Sequence, residues 1–102
     1  MEQMAVAVDL EFDGGTLEQY DEVAQLMDYE PGGAAPPGCL FHWGALTDRG
    51  LRVTDVWDTK EQFEQYAQEK IAPYSQQVGI PGPPRITFYD VHNYQAATVP
   101  TK

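Results

Sequence analysis

Between Met4 and Phe12 hydrophobic and polar positions alternate. Val6, Val8, Leu10 and Phe12 fall on one face, and Ala5, Ala7, Asp9 and Glu11 on the other, the period-two signature of a strand. Asp13-Gly14-Gly15 turns the chain, and the period then changes. Leu17, Tyr20, Val23, Ala24 and Met27 recur at helical spacing, and Thr16 with Gln19 forms a capping box, which predicts a helix burying that stripe. The stretch CLFHWGALTDRGLRVTDVWD, Cys39 to Asp58, is rich in aromatic and β-branched residues on both sides of Thr47-Asp48-Arg49-Gly50. It predicts two strands joined by a tight turn.

Asp58 or Thr59, with Glu61 or Gln62 to complete the box, opens a second helix whose apolar face is Phe63, Tyr66, Ala67, Ile71, Tyr74 and Val78. Pro73 interrupts this pattern without an amide donor, which predicts a kink or break just before it. After the stiff segment Ile80-Pro81-Gly82-Pro83-Pro84, alternation returns from Arg85 to Tyr94. Ile86, Phe88, Asp90 and His92 share one face, with Thr87, Tyr89, Val91 and Asn93 on the other. Residues 95–102 read as a frayed tail.

The order strand, helix, strand, strand, helix, strand is that of the ferredoxin-like βαββαβ arrangement, an α+β fold with both helices on one face of an antiparallel sheet. One domain over residues 1–102 fits the length. The opposite face, with Phe41, Trp43, Val56, Tyr89 and Val91, carries too much apolar surface to remain in water, and a second copy of the chain is the simplest cover. The Pro- and Gly-rich segment 28–38, DYEPGGAAPPG, is long for a loop in a small domain and reads as a lid over a ligand.

The hairpin also brings chemistry together. With Asp48 and Arg49 as loop residues, Thr47 pairs with Gly50, and stepping back along the ladder sets Leu46 against Leu51, Gly44 against Val53 and His42 against Asp55. Side chains directly opposite have Cβ atoms about 4.5–5.5 Å apart, so imidazole and carboxylate can meet. A carboxylate beside a histidine fixes its tautomer and stabilises its cation, as a general base requires. Such a pair also occurs as a plain polar contact in a half-buried sheet. A one-residue slip would send the two groups to opposite faces.

Charge and cysteine content narrow the partners. Six Lys+Arg against sixteen Asp+Glu give a formal charge of −10, which repels phosphate backbones and anionic lipid, so neither nucleic acid nor a membrane surface is an expected partner. The lone Cys39 cannot form an internal disulfide and suits the reducing cytoplasm as a small buried hydrophobe. No signal-peptide pattern opens the chain, and no apolar run approaches the ~20 residues that span a bilayer. Two histidines without a Cys or His cluster, and the lack of G-x-G-x-x-G, P-loop or G-x-S-x-G motifs, leave no metal, dinucleotide or serine-nucleophile signature.

The segments FHWGAL and GLRVTDVWDT, followed by Phe63, IAPY, GIPGPP and FYDVHNY, resemble small bacterial members of the dimeric α+β barrel superfamily, the group that contains the antibiotic biosynthesis monooxygenases. The element order is shared over nearly the whole chain, the motifs from Phe41 to Asn93. The resemblance implies a homodimer whose two sheets form a barrel, with a cavity in each subunit between sheet and helices. It implies a range of reactions: cofactor-independent oxygenases and cyclases of aromatic polyketides, isomerases, haem-degrading enzymes and stress-related proteins. Haem-degrading relatives carry a first-strand Asn and a second-helix His; this chain has neither, although Trp57 sits in a comparable place. Family resemblance therefore does not choose the reaction.

By parity, Val6, Val8, Leu10, His42, Asp55, Trp57, Phe88 and His92 share the helix-facing side with Tyr20, Phe63 and Tyr66 opposite, an apolar pocket with a few convergent polar groups. In the strand order 4-1-3-2 the second and fourth strands are opposite edges, three spacings of about 4.8 Å apart, so His42 and His92 should not meet. The expected function is a cofactor-independent enzyme. His42, oriented by Asp55, removes an acidic proton from a hydrophobic, aromatic or polyketide-like substrate, in a cyclase, isomerase or monooxygenase reaction. Trp57, Phe63, Tyr66 and Phe88 would hold the rings, and His92 or Tyr20 would bind a substrate oxygen, although for each aromatic core packing is the commoner role. The alternatives are a non-catalytic binding protein for an apolar metabolite and a structural or regulatory dimer with no pocket.

Overall fold

A computed structural model describes residues 5–30 and 32–95. Strand β1, Val6–Asp13, is followed by helix α1, Leu17–Leu26, and then by the hairpin strands β2, Cys39–Thr47, and β3, Gly50–Trp57. Helix α2, Lys60–Tyr66, runs through a π-helical turn, Ala67–Ile71, into helix α3, Ala72–Gln77, and β4, Arg85–Asp90, completes the order. The four strands form one antiparallel sheet in the order β2-β3-β1-β4, the ferredoxin-like α+β arrangement. Strand β4 stops at Asp90, short of the expected Tyr94, although the Val91 amide still donates to the Ala5 carbonyl at 2.9 Å. Met4 and residues 96–102 of the expected tail lie outside the described residues.

The hairpin takes the expected register. Thr47 faces Gly50, Leu46 faces Leu51, Gly44 faces Val53 and His42 faces Asp55. Gly50, at φ 144°, is needed twice over: a side chain there would be strained, and its Cβ would lie 2.5 Å from both the Gly14 nitrogen and the Phe12 carbonyl oxygen. The turn is thereby pressed against the end of β1, where the Gly14 amide donates to the Arg49 carbonyl at 2.8 Å. Near its start β2 carries one extra residue: Cys39 faces Trp57 and Phe41 faces Val56, leaving Leu40 as a bulge.

Alternation sorts the sheet into two faces. Toward the helices run the cross-strand rows His42–Asp55–Val8–Phe88 and Gly44–Val53–Leu10–Ile86. The core is built from this side, by Val6, Val8, Leu10, Phe12, Leu51, Val53 and Trp57 with Phe63 and Ile80. The other face carries the rows Phe41–Val56–Ala7–Tyr89 and Trp43–Thr54–Asp9–Thr87. Phe41, Trp43 and Tyr89 are exposed there, while Asp9 is buried by a two-pronged ion pair with Arg52, both contacts 2.9 Å, and by the Thr54 hydroxyl at 3.2 Å. The expected uncovered apolar face is present, with Val56 buried within it.

Both capping boxes close as the spacing predicts, Thr16 with Gln19 and Thr59 with Gln62. Helix α1 nevertheless buries none of its residues completely, and Leu17, expected in its buried stripe, is exposed. Only Tyr20 and Val23 of that helix pack partly against the core. The break expected before Pro73 takes the form of the π-helical turn: the wider turn ends where α3 begins, and Pro73 sits in the first turn of α3, where no amide donor is required. No helix among the described residues is long and apolar enough to cross a membrane.

Candidate functional site

Asp55 lies in the middle of β3 and is only 3% exposed, so its carboxylate must be satisfied by the protein. Both oxygens are. The His42 Nδ1 lies 2.6 Å from Oδ1, and the Trp57 indole N–H donates to Oδ2 at 3.1 Å. The far nitrogen of the same imidazole, Nε2, lies 2.5 Å from the Tyr20 hydroxyl. The Tyr20 and His42 rings are parallel to within 7° with centroids 6.0 Å apart. At that separation, with the hydroxyl on Nε2, the rings meet edge to edge through the hydrogen bond and do not overlap face to face.

For a neutral imidazole, hydrogen-bond polarity assigns the protons. An ionised carboxylate only accepts, so His42 Nδ1 carries a proton and donates it to Asp55. The neutral ring then has a bare Nε2, which accepts from the Tyr20 hydroxyl. Burial first, then the Asp55 and Asp21 carboxylates, raise the Tyr20 pKa, so the phenol keeps its proton at neutral pH and remains a donor. The result is a one-way line of donors from Tyr20 through His42 to Asp55. The His42 side chain is 37% exposed.

The line depends on Gly44. A Cβ there would lie 2.8 Å from Tyr20 Cε1 and 3.0 Å from its Cζ, so the bare backbone of β2 lets the ring from α1 lie across the strand and reach His42. The sequence signal for this residue is a glycine directly after the large side chains of Leu40, Phe41, His42 and Trp43.

The remaining expected site residues are distributed differently. Trp57 and Phe63, each 1% exposed, are core residues, packed with ring centroids 6.0 Å apart. Tyr66 is half-buried, 5.1 Å from Trp57 between centroids, and its hydroxyl donates to the Met27 sulfur at 3.0 Å. Burial and the neighbouring Tyr29 hold its phenol well above the usual range. Phe88 packs edge-on against Phe63 at 5.7 Å, with the Lys60 ammonium 4.5 Å above its ring. His92 lies beyond the end of β4, exposed. These aromatics pack against one another beside Asp55.

A cleft of about 610 Å³ runs between β1, β4 and the α2–α3 segment, under the loop 79–84. Leu10, Phe12, Ile71, Ile80, Pro84 and Ile86 line it, with Ser75 and Gln76 as its polar side chains. None of the eight expected site residues is among its walls. The strand order places it over β1 and β4, whereas His42 stands on β2, two strands from β1. The only hint of it in the sequence is the Gly and Pro density from Gly79 to Pro84.

Among the described residues no three or more His, Cys, Asp or Glu side chains gather as a metal site would require. Cys39 is half-buried, and burial followed by the Asp55 carboxylate pushes its thiol up to about 12.

No family model and no curated protein matches the chain. Among solved structures it is similar to a monooxygenase from the gene ActVA-Orf6 of Streptomyces coelicolor, in complex with the ligand nanaomycin D. The two share 19% identity over 96% of this chain and 93% of that one, at a TM-score of 0.46.

Proposed function

We propose that this chain is a cofactor-independent small-molecule enzyme in which His42 acts as general base and Asp55 orients it. The observation that carries the reading is the contact of 2.6 Å between His42 Nδ1 and a buried carboxylate. Asp55 fixes the tautomer that leaves Nε2 free of a proton, and it stabilises the imidazolium formed when Nε2 takes one.

The substrate side of the reading rests on the surroundings of Tyr20. Leu17 precedes it by one helical turn, and Leu46 follows Gly44 on the same face of β2; both are exposed. This apolar surface, flanking Tyr20 and Gly44, suits a hydrophobic, aromatic or polyketide-like molecule with an acidic C–H or phenolic proton. Its carbanion would then isomerise, cyclise or meet dioxygen, which makes the enzyme a cyclase, isomerase or monooxygenase. The test is hydrogen–deuterium exchange at the activated methylene of 2-tetralone, followed by proton NMR in deuterated buffer. Exchange above the buffer rate that is lost in His42→Ala supports the base; the same rate in parent and variant removes it.

The cleft favours a second reading, a non-catalytic carrier of an apolar metabolite, because no ionisable side chain lines it. Filling it with Ala67→Trp should abolish binding of an apolar dye if the cleft is the site. Catalysis without dye displacement would count against this reading.

We place the chain in the cytoplasm, where its single thiol stays reduced. We also propose a homodimer, its two sheets pairing through the face that exposes Phe41, Trp43 and Tyr89, as in a dimeric α+β barrel.

A further inference from the structure

Resting on the reading of His42 and Asp55 as a base, we infer that the atom meeting the substrate is the Tyr20 hydroxyl oxygen, with His42 acting through it as the inner member of a proton relay.

Geometry is the ground for this. A base working directly needs its lone pair directed at the substrate, yet the only bare nitrogen of His42 is occupied by the Tyr20 hydroxyl at 2.5 Å. His42 Nδ1 is held by Asp55, and the second Asp55 oxygen by Trp57, so the inner groups have no spare acceptor aimed outward. The phenol oxygen can accept a second hydrogen bond while it donates to Nε2. The groups bearing on Tyr20 are His42 from β2, Asp55 from β3 and Asp21 from its own helix.

The step balances as two proton transfers. The substrate C–H proton moves to the Tyr20 oxygen as the phenol proton moves to His42 Nε2. The substrate is left as an enolate, Tyr20 is again neutral, and His42 becomes an imidazolium beside the Asp55 carboxylate. Running the same transfers backward delivers a proton to a different carbon, which is an isomerisation, and no oxidant or cofactor enters.

Tyr20→Phe keeps the ring and removes the relay. With 2-tetralone in deuterated buffer, exchange should fall by roughly 10²-fold, the lower range for loss of a positioned proton-transfer group. Replacing Tyr20 by 3,5-difluorotyrosine, which preserves shape and lowers the phenol pKa, should move the alkaline part of the exchange-versus-pH profile to lower pH. A merely structural tyrosine would leave that profile in place. Exchange in Tyr20→Phe equal to or faster than in the parent overturns the relay, because His42 then works unaided. Exchange unchanged by His42→Ala removes the base itself, a separate failure that the Tyr20 variants cannot imitate.

Discussion

Gly44 and Tyr20 are in contact across two elements: the strand backbone at Gly44 is the floor on which the Tyr20 ring lies, and a Cβ at Gly44 would stand 2.8 Å from Cε1 of that ring. The hydrogen bond between Tyr20 and His42 exists because residue 44 has no side chain. Gly44→Ala should lift the ring, release Nε2 and lower stability by about 1 kcal/mol, the small end of overpacking costs. The His42 ring resonances should move in its NMR spectrum and the urea midpoint should fall slightly. An unchanged His42 spectrum would mean that the contact does not set the imidazole environment.

Asp55 serves two donors from a position almost free of solvent. Asp55→Ala strands the Trp57 indole N–H in the core and leaves His42 without its partner. Leaving a buried donor unsatisfied costs about 1–3 kcal/mol, and in a domain of this size each kcal/mol lowers Tm by roughly 4–8 °C. Calorimetry checks the size of the loss. Asp55→Asn, whose amide oxygen can still accept one bond, should fall between parent and alanine variant.

Cys39 should behave as a packing residue. Its thiol is pushed up to about 12 by burial and by the Asp55 carboxylate, so the thiolate is scarce at neutral pH. Iodoacetamide should label the native protein far more slowly than the urea-unfolded chain at pH 8. The raised value has a sign for stability: the folded state holds the thiol proton more tightly than the unfolded one. Its contribution is therefore complete below about 9 and is lost as pH rises from there toward about 12. A fast, unfolding-independent reaction at pH 8 would contradict this placement.

The open sheet face makes a claim about assembly. Phe41, Trp43 and Tyr89 are exposed around the buried Asp9 and its exposed partner Arg52. Trp43→Glu, whose new carboxylate would join Asp9 on that face, should shift a dimer to monomer in light scattering while leaving the circular dichroism spectrum intact. A parent chain that is monomeric at high concentration would dismiss this interface.

The sheet register was legible because the alternation and the tight turn around Asp48 and Arg49 point to one ladder, and a slip would have turned Leu51 and Val53 out of the core. The capping boxes at Thr16 and Thr59 are local chemistry and were legible for the same reason. What joins Tyr20 to His42 was not: it depends on how closely α1 approaches β2, which is set by the missing side chain at Gly44. The cleft was hidden similarly, since it arises from the angle at which the α2–α3 segment and the loop 79–84 stand off β1 and β4. Periodicity placed Trp57 and Phe63 on the helix-facing side, but it could not tell a residue facing open space from one facing another ring. Leu17 has helical spacing with Tyr20, yet it is exposed, since spacing alone does not say which end of a stripe reaches the sheet.

The most direct measurement is the protonation of the His42 ring in the intact protein, read by long-range ¹⁵N–¹H NMR near pH 7.5 with His92 as the internal exposed reference. A neutral imidazole bonded to Asp55 through Nδ1 and to the Tyr20 phenol through Nε2 must give the Nδ1–H tautomer, with an Nε2 shift that changes in Tyr20→Phe. An Nε2–H tautomer, or a His42 spectrum indistinguishable from that of His92, would contradict the line of donors on which the proposed proton transfer depends.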